Sequence, residues 1–267
     1  MKGSLTILIS SGDAYMDVID VWLRSFEKFA ADCPYKVVIA TDCKKVLRCG
    51  GSVKNVLSGD ANNTLLPRAV WALENEIDSD YILFMIADCF FTQKVDWDAV
   101  EKIVDDMKQH QINYASMLPV CRRGKAIRNS VLCYAKQTNP YSLSLRMGIW
   151  QREFFTQKCA EVSDEWQLEY SECTKAAKEE HSEVYFTDIA VTGSKNMLHI
   201  AHSITGGRYI PSVLKKMKRL GITIDSGRGS LPYYEEIYAH LCETLLAYVP
   251  FPMLYRTGRK FGFFKDM

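Results

Sequence analysis

The sequence lacks several features that point to particular protein classes. Lys and Arg number 33 against 32 Asp and Glu, so the net charge of +1 gives no sign of nucleic acid or another polyanion as a partner. Nine cysteines are present, but none forms a Cys-x-x-Cys pair, and neither a zinc site nor a disulfide framework is indicated. We therefore expect reduced thiols in a cytosolic protein.

Long apolar runs and repeats are also missing. No run approaches the roughly 20 apolar residues that span a bilayer, and the apolar run at residues 5–9 is too short for the core of a signal peptide. The sequence predicts a protein that is soluble or lies at most on a membrane surface. With 48% hydrophobic residues, its 267 residues suffice for one sizeable α/β domain.

The first 42 residues have the pattern of a β-α-β unit. Residues 5–9 and 35–42 are apolar runs of strand length, and apolar side chains recur at helical spacing from Val18 to Phe29. Two strands joined through a helix pair in parallel. The turn at residues 10–13 suits a phosphate or nucleotide because free N–H groups gather at a helix start, although any β-α loop can have this composition.

A continuous apolar run at residues 81–86 predicts a strand buried on both faces. The run stops at Ala87 and Asp88. Ligands of open α/β sheets bind beyond the carboxyl ends of the strands, so Asp88 is well placed to hold a metal or another ligand. The alternative is an acid that caps a turn or a short helix.

Weaker patterns predict the remaining elements. Helices are expected over residues 65–77 and 100–107 and after Ser163 or Asp164, either of which suits an N-cap. Short apolar runs predict strands over residues 52–57, 112–118, 131–134, 184–187 and 197–200.

Several polar side chains in these elements suit a binding site. Arg68 lies in the first turn of a predicted helix, where a cation opposes the helix dipole; a nearby anion or exposure to solvent would explain it. Trp166 and Glu169 share a helix face and could hold a sugar and act on its hydroxyl, or be a packed Trp beside an exposed Glu. His199 and His202 could ligate a metal or be ordinary loop residues.

Two basic segments allow two interpretations each. The loop at residues 121–128 carries four cations and could clamp phosphate or simply be solvated. From residue 206 onward Lys and Arg outnumber Asp and Glu, and Arg256, Arg259 and Lys260 are followed by Phe261, Phe263 and Phe264. This mixture suits the surface of an anionic membrane, while packing on the body of the protein or on a second subunit is the alternative.

In their order, these segments resemble the GT-A-type glycosyltransferases, in particular small bacterial enzymes that build capsular and lipopolysaccharide sugars. The resemblance spans roughly residues 4 to 210. It is carried by residues 11–13, Asp42, residues 68–73, 80–83, 87–91, 148–150 and 166–169. It implies an α/β fold with a GT-A-like (Rossmann-like), mixed and mainly parallel sheet and flanking helices. Residues 1–210 would bind nucleotide-sugar and acceptor, and residues 211–267 would be a basic and aromatic helical extension.

The resemblance also implies roles for individual residues. A nucleotide, usually uridine-based, would be bound by Ser11, Gly12, Asp13, Asp42 and Arg68. Mn²⁺ or Mg²⁺ would bind at Asp88, with His199 or His202 completing the shell, because Ala87 stands where the family commonly has a second acid; cationic side chains on the phosphates are the alternative. Substrate contacts are expected from Trp150 and Trp166. An inverting enzyme needs a base, for which Glu169 is the first choice, with Asp164 and Glu165 in reserve; a retaining enzyme would not need one.

The function that follows is transfer of a sugar, typically from a UDP-sugar, to a glycan or lipid-linked acceptor at the cytoplasmic face of the membrane. Two other classes stay open. A sugar nucleotidyltransferase would use a similar nucleotide-binding half, but normally carries a Gly-rich phosphate loop with Arg and Lys, which residues 10–13 lack. A non-catalytic scaffold that binds nucleotide-sugars is favoured by the missing acid at Ala87.

Overall fold

The computed structural model describes residues 4–48, 51–60, 64–118, 124–138, 142–178, 185–192, 198–225 and 227–248. The strands are β1 (Leu5–Ser10), β2 (Lys36–Thr41), β3 (Val53–Leu57), β4 (Tyr81–Ile86), β5 (Cys89–Phe91), β6 (Tyr114–Ser116), β7 (Lys125–Ala126), β8 (Leu132–Lys136), β9 (Met147–Gln151), β10 (Tyr185–Thr192), β11 (Ile200–His202), β12 (Ile204–Thr205) and β13 (Arg208–Tyr209). The helices are α1 (Met16–Phe29), α2 (Leu65–Glu76), α3 (Trp97–His110), α4 (Arg152–Ala160), α5 (Glu165–Lys178), α6 (Pro211–Arg219) and α7 (Tyr233–Tyr248), with a 3-10 turn at Asp13–Tyr15.

The central sheet has the strand order β3-β2-β1-β4-β9-β6-β10-β8-β7. The strands β3, β2, β1 and β4 are all parallel, as the β-α-β pattern predicts. Antiparallel β9 separates β4 from β6, and β10 pairs in parallel with β6 and antiparallel with β8. The expectation of a mixed, mainly parallel α/β sheet with flanking helices is therefore confirmed.

Helices cover both faces of the sheet, which explains why β4 at its centre is continuously apolar. Successive side chains of a strand point to opposite faces, so Leu83 and Met85 of β4 pack with α1 and α3, while Ile82 and Phe84 pack with α2 and α4. All four are completely buried. Each contributes about 1.5–3 kcal/mol by its removal from water. One hydrophobic core thus lies on each face of the sheet.

The structure differs from the sequence predictions in two places that shape the site. Strand β9 was not predicted, yet it lies at the centre of the sheet; a Cβ on its Gly148 would lie 2.3 Å from Cε2 of Tyr114, so only glycine leaves room for that ring. The strand predicted over residues 197–200 is wrong in position, because β11 covers Ile200–His202 and pairs with β5, also not predicted. Residue 197 lies outside the described part of the chain.

Other boundaries shift by a few residues. The strands predicted over 112–118 and 131–134 are β6 and β8, and the strand predicted over 184–187 is the start of the longer β10, with residue 184 outside the described part. In the basic loop, residues 121–123 are likewise outside it, and Lys125 lies on the edge strand β7.

The described part of the chain after residue 210 contains two helices, α6 and α7, and begins by packing on the body of the protein. Val213, Met217 and Ile222 join the core on the α1 side of the sheet. Lys28 and Arg24 of α1 donate hydrogen bonds of 2.7 Å to the carbonyl oxygens of Leu220 and Thr223. A domain boundary at residue 210 stays a prediction, and residues 249–267 lie outside the described part. No helix within the described ranges has the length and apolar character that crossing a bilayer requires.

Candidate active site

A cavity of about 640 Å³ lies beyond the carboxyl ends of β1, β2 and β4. We call it the first chamber. Its walls come from the turn after β1, the residue after β2, the end of β4 and the first turns of α2 and α5. It is lined by Ser10, Ser11, Gly12, Asp13, Ala14, Tyr15, Asp42, Leu65, Arg68, Ile86, Ala87, Asp88, Glu165 and Trp166. All five predicted nucleotide-binding residues are in this set.

A second chamber of about 300 Å³ adjoins the first. The two share Leu65, Ile86, Glu165 and Trp166 as lining residues. The second chamber adds Leu145, Arg146, Glu169, His202, Ile204, Thr205 and Gly206. The chambers thus form one cleft that is divided at the first turn of α5, and such a cleft can hold two ligands side by side.

Arg68 and Asp42 form a buried ion pair at the base of the first chamber. Arg68 Nε donates to Asp42 Oδ1 at 2.6 Å, and the two side chains are only 4% and 7% exposed. Arg68 Nη1 also donates to Ser10 Oγ at 3.3 Å. Solvent exposure therefore does not explain a cation in the first turn of α2; its partner is the acid that follows β2.

Asp13 and Gly12 fit closely around this pair. The Asp13 carboxylate accepts hydrogen bonds from the backbone N–H groups of Asp42, Cys43 and Lys44 at 3.1–3.2 Å, while its own N–H donates to Asp42 Oδ2. A Cβ on Gly12 would lie 3.3 Å from Asp42 Oδ2. Asp13 thus fixes the loop after β2, and glycine at position 12 leaves space for the ion pair.

Asp88 is joined to His202 by the pairing of β5 with β11. His202 Nε2 lies 3.2 Å from Asp88 Oδ2, and the N–H and hydroxyl of Ser203 both donate to the Asp88 carbonyl at 2.8 Å. His199 lies at the other end of this strand pair, where its carbonyl accepts from Thr92. The expectation that His199 joins Asp88 is wrong, because the strand register holds it at Thr92.

A metal at this position would have Asp88 and His202 as its protein ligands. Among the described side chains no group of three or more His, Cys, Asp and Glu is placed to hold a metal ion. One carboxylate and one imidazole nevertheless fit Mn²⁺ if diphosphate oxygens supply the other ligands.

Glu169 projects from α5 into the second chamber. Its Oε1 accepts hydrogen bonds from Ser144 Oγ and from the N–H of Leu145, both at 2.9 Å. Burial raises the pKa of Glu169 above its ordinary value, although these hydrogen bonds and the charge of Arg146 oppose the shift. A carboxylate with a raised pKa that lines a cavity is suited to accept a proton.

The two reserve acids occupy different positions. Glu165 lies where the chambers meet. Asp164 caps α5, since its Oδ1 accepts from the N–H of Gln167 at 2.8 Å, and it is not among the residues that line either chamber. The structure thus supports Asp164 as the N-cap of α5 and does not support it as a catalytic base, because it lines neither chamber.

The two predicted substrate tryptophans also differ. Trp166 is 63% exposed and lies at the junction of the chambers. Trp150 is completely buried and packs on Tyr114, Phe154 and Phe155. The expectation of substrate contact at Trp150 is wrong, because it lies on the central strand β9 and α4 covers it.

The sequence analysis did not predict three residues of the site, Tyr15, Arg146 and Ser144. Tyr15 lies two residues after Asp13 and ends the 3-10 turn that precedes α1, and this position so close to the Ser-Gly-Asp turn could have indicated it. Arg146, which lines the second chamber, and Ser144, which donates to Glu169, stand in an irregular segment without periodicity, so no pattern indicated them.

No family model and no curated protein sequence matches the chain. Among solved structures, residues 1–349 of S. aureus TarS in complex with UDP superpose with a TM-score of 0.47 and 13% identity, covering 92% of this chain and 72% of that one. A cytidylyltransferase from Leptospira borgpetersenii gives 0.46 and 12%, covering 91% and 96%. The mannosyltransferase PcManGT from Pyrobaculum calidifontis in complex with GDP-Man and Mn²⁺ gives 0.45 and 12%, covering 98% and 81%. At these TM-scores and identities, none of the three structures assigns a function to this chain.

Proposed function

We propose that the protein transfers a sugar from a nucleotide-sugar, in the first instance a UDP-sugar, to a glycan or lipid-linked acceptor in surface polysaccharide synthesis. The observation that carries the proposal is the divided cleft. A chamber large enough for a nucleotide lies at the carboxyl ends of parallel strands. It adjoins a second chamber, with which it shares four lining residues and which contains a carboxylate with a raised pKa.

In this proposal the donor occupies the first chamber. The Asp42–Arg68 pair holds the loops after β1 and β2 in position, and Ser11 offers a hydroxyl for the nucleoside. Asp88 lines the first chamber and His202 the second, and together they would hold a divalent metal. When bound, such a metal would neutralise the charge that develops on the leaving nucleotide.

The acceptor occupies the second chamber in this proposal. Glu169 takes the proton from the attacking hydroxyl as that oxygen displaces the nucleotide from the far side of the anomeric carbon, so the configuration is inverted. The Ser144 and Leu145 hydrogen bonds to Oε1 fix the orientation of the carboxylate. The exposed ring of Trp166, at the junction, offers a face on which a sugar can pack.

The proposal is tested by incubating the protein with UDP-sugars without acceptor and measuring free sugar and UDP. Slow hydrolysis is expected, because water can take the place of the acceptor hydroxyl. Donor binding without hydrolysis or transfer would favour the non-catalytic scaffold. Release of pyrophosphate from UTP and a sugar 1-phosphate would favour a nucleotidyltransferase.

The metal role of Asp88 gives a separate prediction. A UDP-sugar that binds only the folded protein raises its melting temperature, and we expect Mn²⁺ to increase this shift in the wild type but not in Asp88→Asn. His199→Ala is the control, because His199 lies at the opposite end of the β5–β11 pair. If Asp88→Asn keeps the full effect of Mn²⁺, the metal does not bind there.

We further propose that α7 contacts the cytoplasmic face of an anionic membrane. Tyr234, Ile237, Tyr238 and Leu241 recur at helical spacing and are between 47% and 71% exposed. Tyrosine rings suit the membrane interface because they combine an apolar body with a polar tip. The cations at Arg256, Arg259 and Lys260 are complementary to anionic headgroups.

Membrane contact is tested by sedimentation with vesicles. Tyr234→Ser combined with Tyr238→Ser is expected to weaken binding to phosphatidylglycerol vesicles at least about tenfold, since burial of each ring contributes about 1.5 kcal/mol or more. Vesicles of phosphatidylcholine alone should bind the wild type weakly. Equal binding of the wild type and the variant would contradict the proposal, and a dimer that the same substitutions dissociate would assign this helix face to a second copy.

A further inference from the structure

Arg228 lies in the loop between α6 and α7 and contacts the start of α1. Its Nε and Nη2 donate to the two carboxylate oxygens of Asp17, each at 2.8 Å, and Nη2 also donates to the carbonyl of Ala14. The guanidinium carbon lies 4.3 Å from the centre of the Tyr15 ring. A bidentate ion pair and a stacked cation are both contacts that a guanidinium makes better than an ammonium.

These contacts fix one wall of the first chamber. Ala14 and Tyr15 line that chamber, and Asp17 follows them in the first turn of α1. Within the part of the chain that the structure describes, no side chain caps the N-terminus of α1 or of the 3-10 turn before it. Burial raises the pKa of Asp17, but the hydrogen bond and charge of Arg228 outweigh it, and the pKa lies below its ordinary value.

The backbone that follows Arg228 is itself held in place. Gly229 has a φ of +70°, a conformation that favours glycine, and its carbonyl accepts from the N–H of Tyr209 at 3.1 Å. The N–H of Leu231 donates to the Tyr209 carbonyl at 2.9 Å. Tyr209 belongs to β13, which pairs with β12, and Thr205 of β12 lines the second chamber. One loop thus connects a wall of each chamber.

We propose that Arg228 is a positioning residue of the donor site. It holds the Tyr15 ring and the Ala14 carbonyl in the positions that they have when the donor is bound. Donor binding then does not include the free-energy cost of ordering this wall. The inference rests on the proposed function in one respect, that the ligand of the first chamber is a nucleotide-sugar. Donor affinity then depends on residues beyond position 210, which the family resemblance does not cover.

The test compares Arg228→Ala with Lys28→Ala. Lys28 also joins α1 to the segment after α6, through the Leu220 carbonyl, but it does not line either chamber. We expect the dissociation constant of a UDP-sugar to rise at least about tenfold in Arg228→Ala and to stay unchanged in Lys28→Ala. The donor KM should rise with little change in kcat, because the substitution leaves Glu169 and its hydrogen bonds from Ser144 and Leu145 in place. Arg228→Lys should restore the affinity only in part.

A double-variant cycle shows whether Arg228 acts through Tyr15. Tyr15→Ala and Arg228→Ala should each weaken donor binding, and the combined variant should be no weaker than the worse of the two. Additive losses would contradict this route. An Arg228→Ala effect on the dissociation constant no larger than that of Lys28→Ala would overturn the proposal.

A readout without donor separates this inference from the proposed function. Backbone hydrogen exchange over residues 12–18 should be faster in Arg228→Ala than in Lys28→Ala. Unchanged exchange would overturn the positioning role whatever the ligand is. If the wild type binds no nucleotide-sugar while the exchange still rises, the proposed function fails and the positioning of this wall stands.

Discussion

Glu169→Gln is expected to lower the rate of sugar transfer by about 10²–10⁴-fold, the range for loss of a general base. The amide keeps the shape of the side chain and an oxygen for the hydrogen bonds from Ser144 and Leu145, but it cannot take the proton of the acceptor. Donor binding should be retained, since Glu169 lines only the second chamber. Steady-state kinetics with donor and acceptor measure this change.

The raised pKa of Glu169 adds a pH dependence to this prediction. The acidic limb of kcat/KM should have its midpoint above 4.5, the ordinary value, and Glu169→Gln should lose this limb. The same raised pKa predicts the stability of the variant. A carboxyl whose pKa is raised in the folded state stabilises the fold below its unfolded pKa, and this stability is lost as pH rises through the folded pKa. Glu169→Gln carries no charge that burial could disfavour, so we expect it to be at least as stable as the wild type at pH 7. Equal or greater stability would exclude unfolding as the cause of lost activity.

Glu165→Gln is the matched control for Glu169→Gln. Glu165 lies on the same helix and lines both chambers, so it tests whether any carboxylate in the cleft has the same effect. The larger loss is expected in Glu169→Gln. Wild-type kcat in Glu169→Gln would contradict the assignment of the base.

Arg68→Met is expected to lower the free energy of unfolding by about 3–5 kcal/mol, because it leaves the Asp42 carboxylate buried without its cation. The carboxylate is only 7% exposed. Urea denaturation measures the change. Donor binding should be lost as well, since Asp42 and Arg68 line the first chamber and hold the loops around it.

Two further variants show whether the lower stability of Arg68→Met comes from the unpaired charge of Asp42. Arg68→Met combined with Asp42→Asn should be more stable than Arg68→Met alone, because no buried charge remains. Arg48→Met removes the exposed pair with Glu27, whose side chains are 48% and 51% exposed, and should change stability by less than about 1 kcal/mol. A similarly small effect of Arg68→Met would show that the Asp42–Arg68 pair does not stabilise the fold.

The parallel half of the sheet could be predicted from the sequence because its strands are buried on both faces. Continuous apolar runs such as Tyr81–Ile86, at strand length and rich in aromatic and branched side chains, favour a buried strand over a helix. The end of β4 placed Asp88 where open α/β sheets bind their ligands, whereas Asp42 and Arg68 were assigned to one nucleotide site by the resemblance to the GT-A-type glycosyltransferases.

The rest of the site depends on contacts that have no local pattern. Strand β9 is short and enters the sheet against the direction of its neighbours, so nothing near Trp150 indicated that α4 would bury it. His202 reaches Asp88 only because β11 pairs with β5 in one register, and a shift of that register would have brought another side chain there. Arg228 meets Tyr15 across 213 positions of sequence, through a loop without periodicity.

The account rests on nucleotide-sugar binding in the first chamber, and a thermal-shift screen tests it most directly. The wild type and Lys28→Ala, which leaves the chamber intact, are each heated with UDP-, GDP-, CMP- and dTDP-sugars, with and without Mn²⁺. A rise in melting temperature with one nucleotide, the UDP-sugar in the first instance, is predicted for both proteins, and the same ligand should give a smaller rise with Arg228→Ala. No rise with any of the four donors, at concentrations up to the millimolar range, would contradict the account.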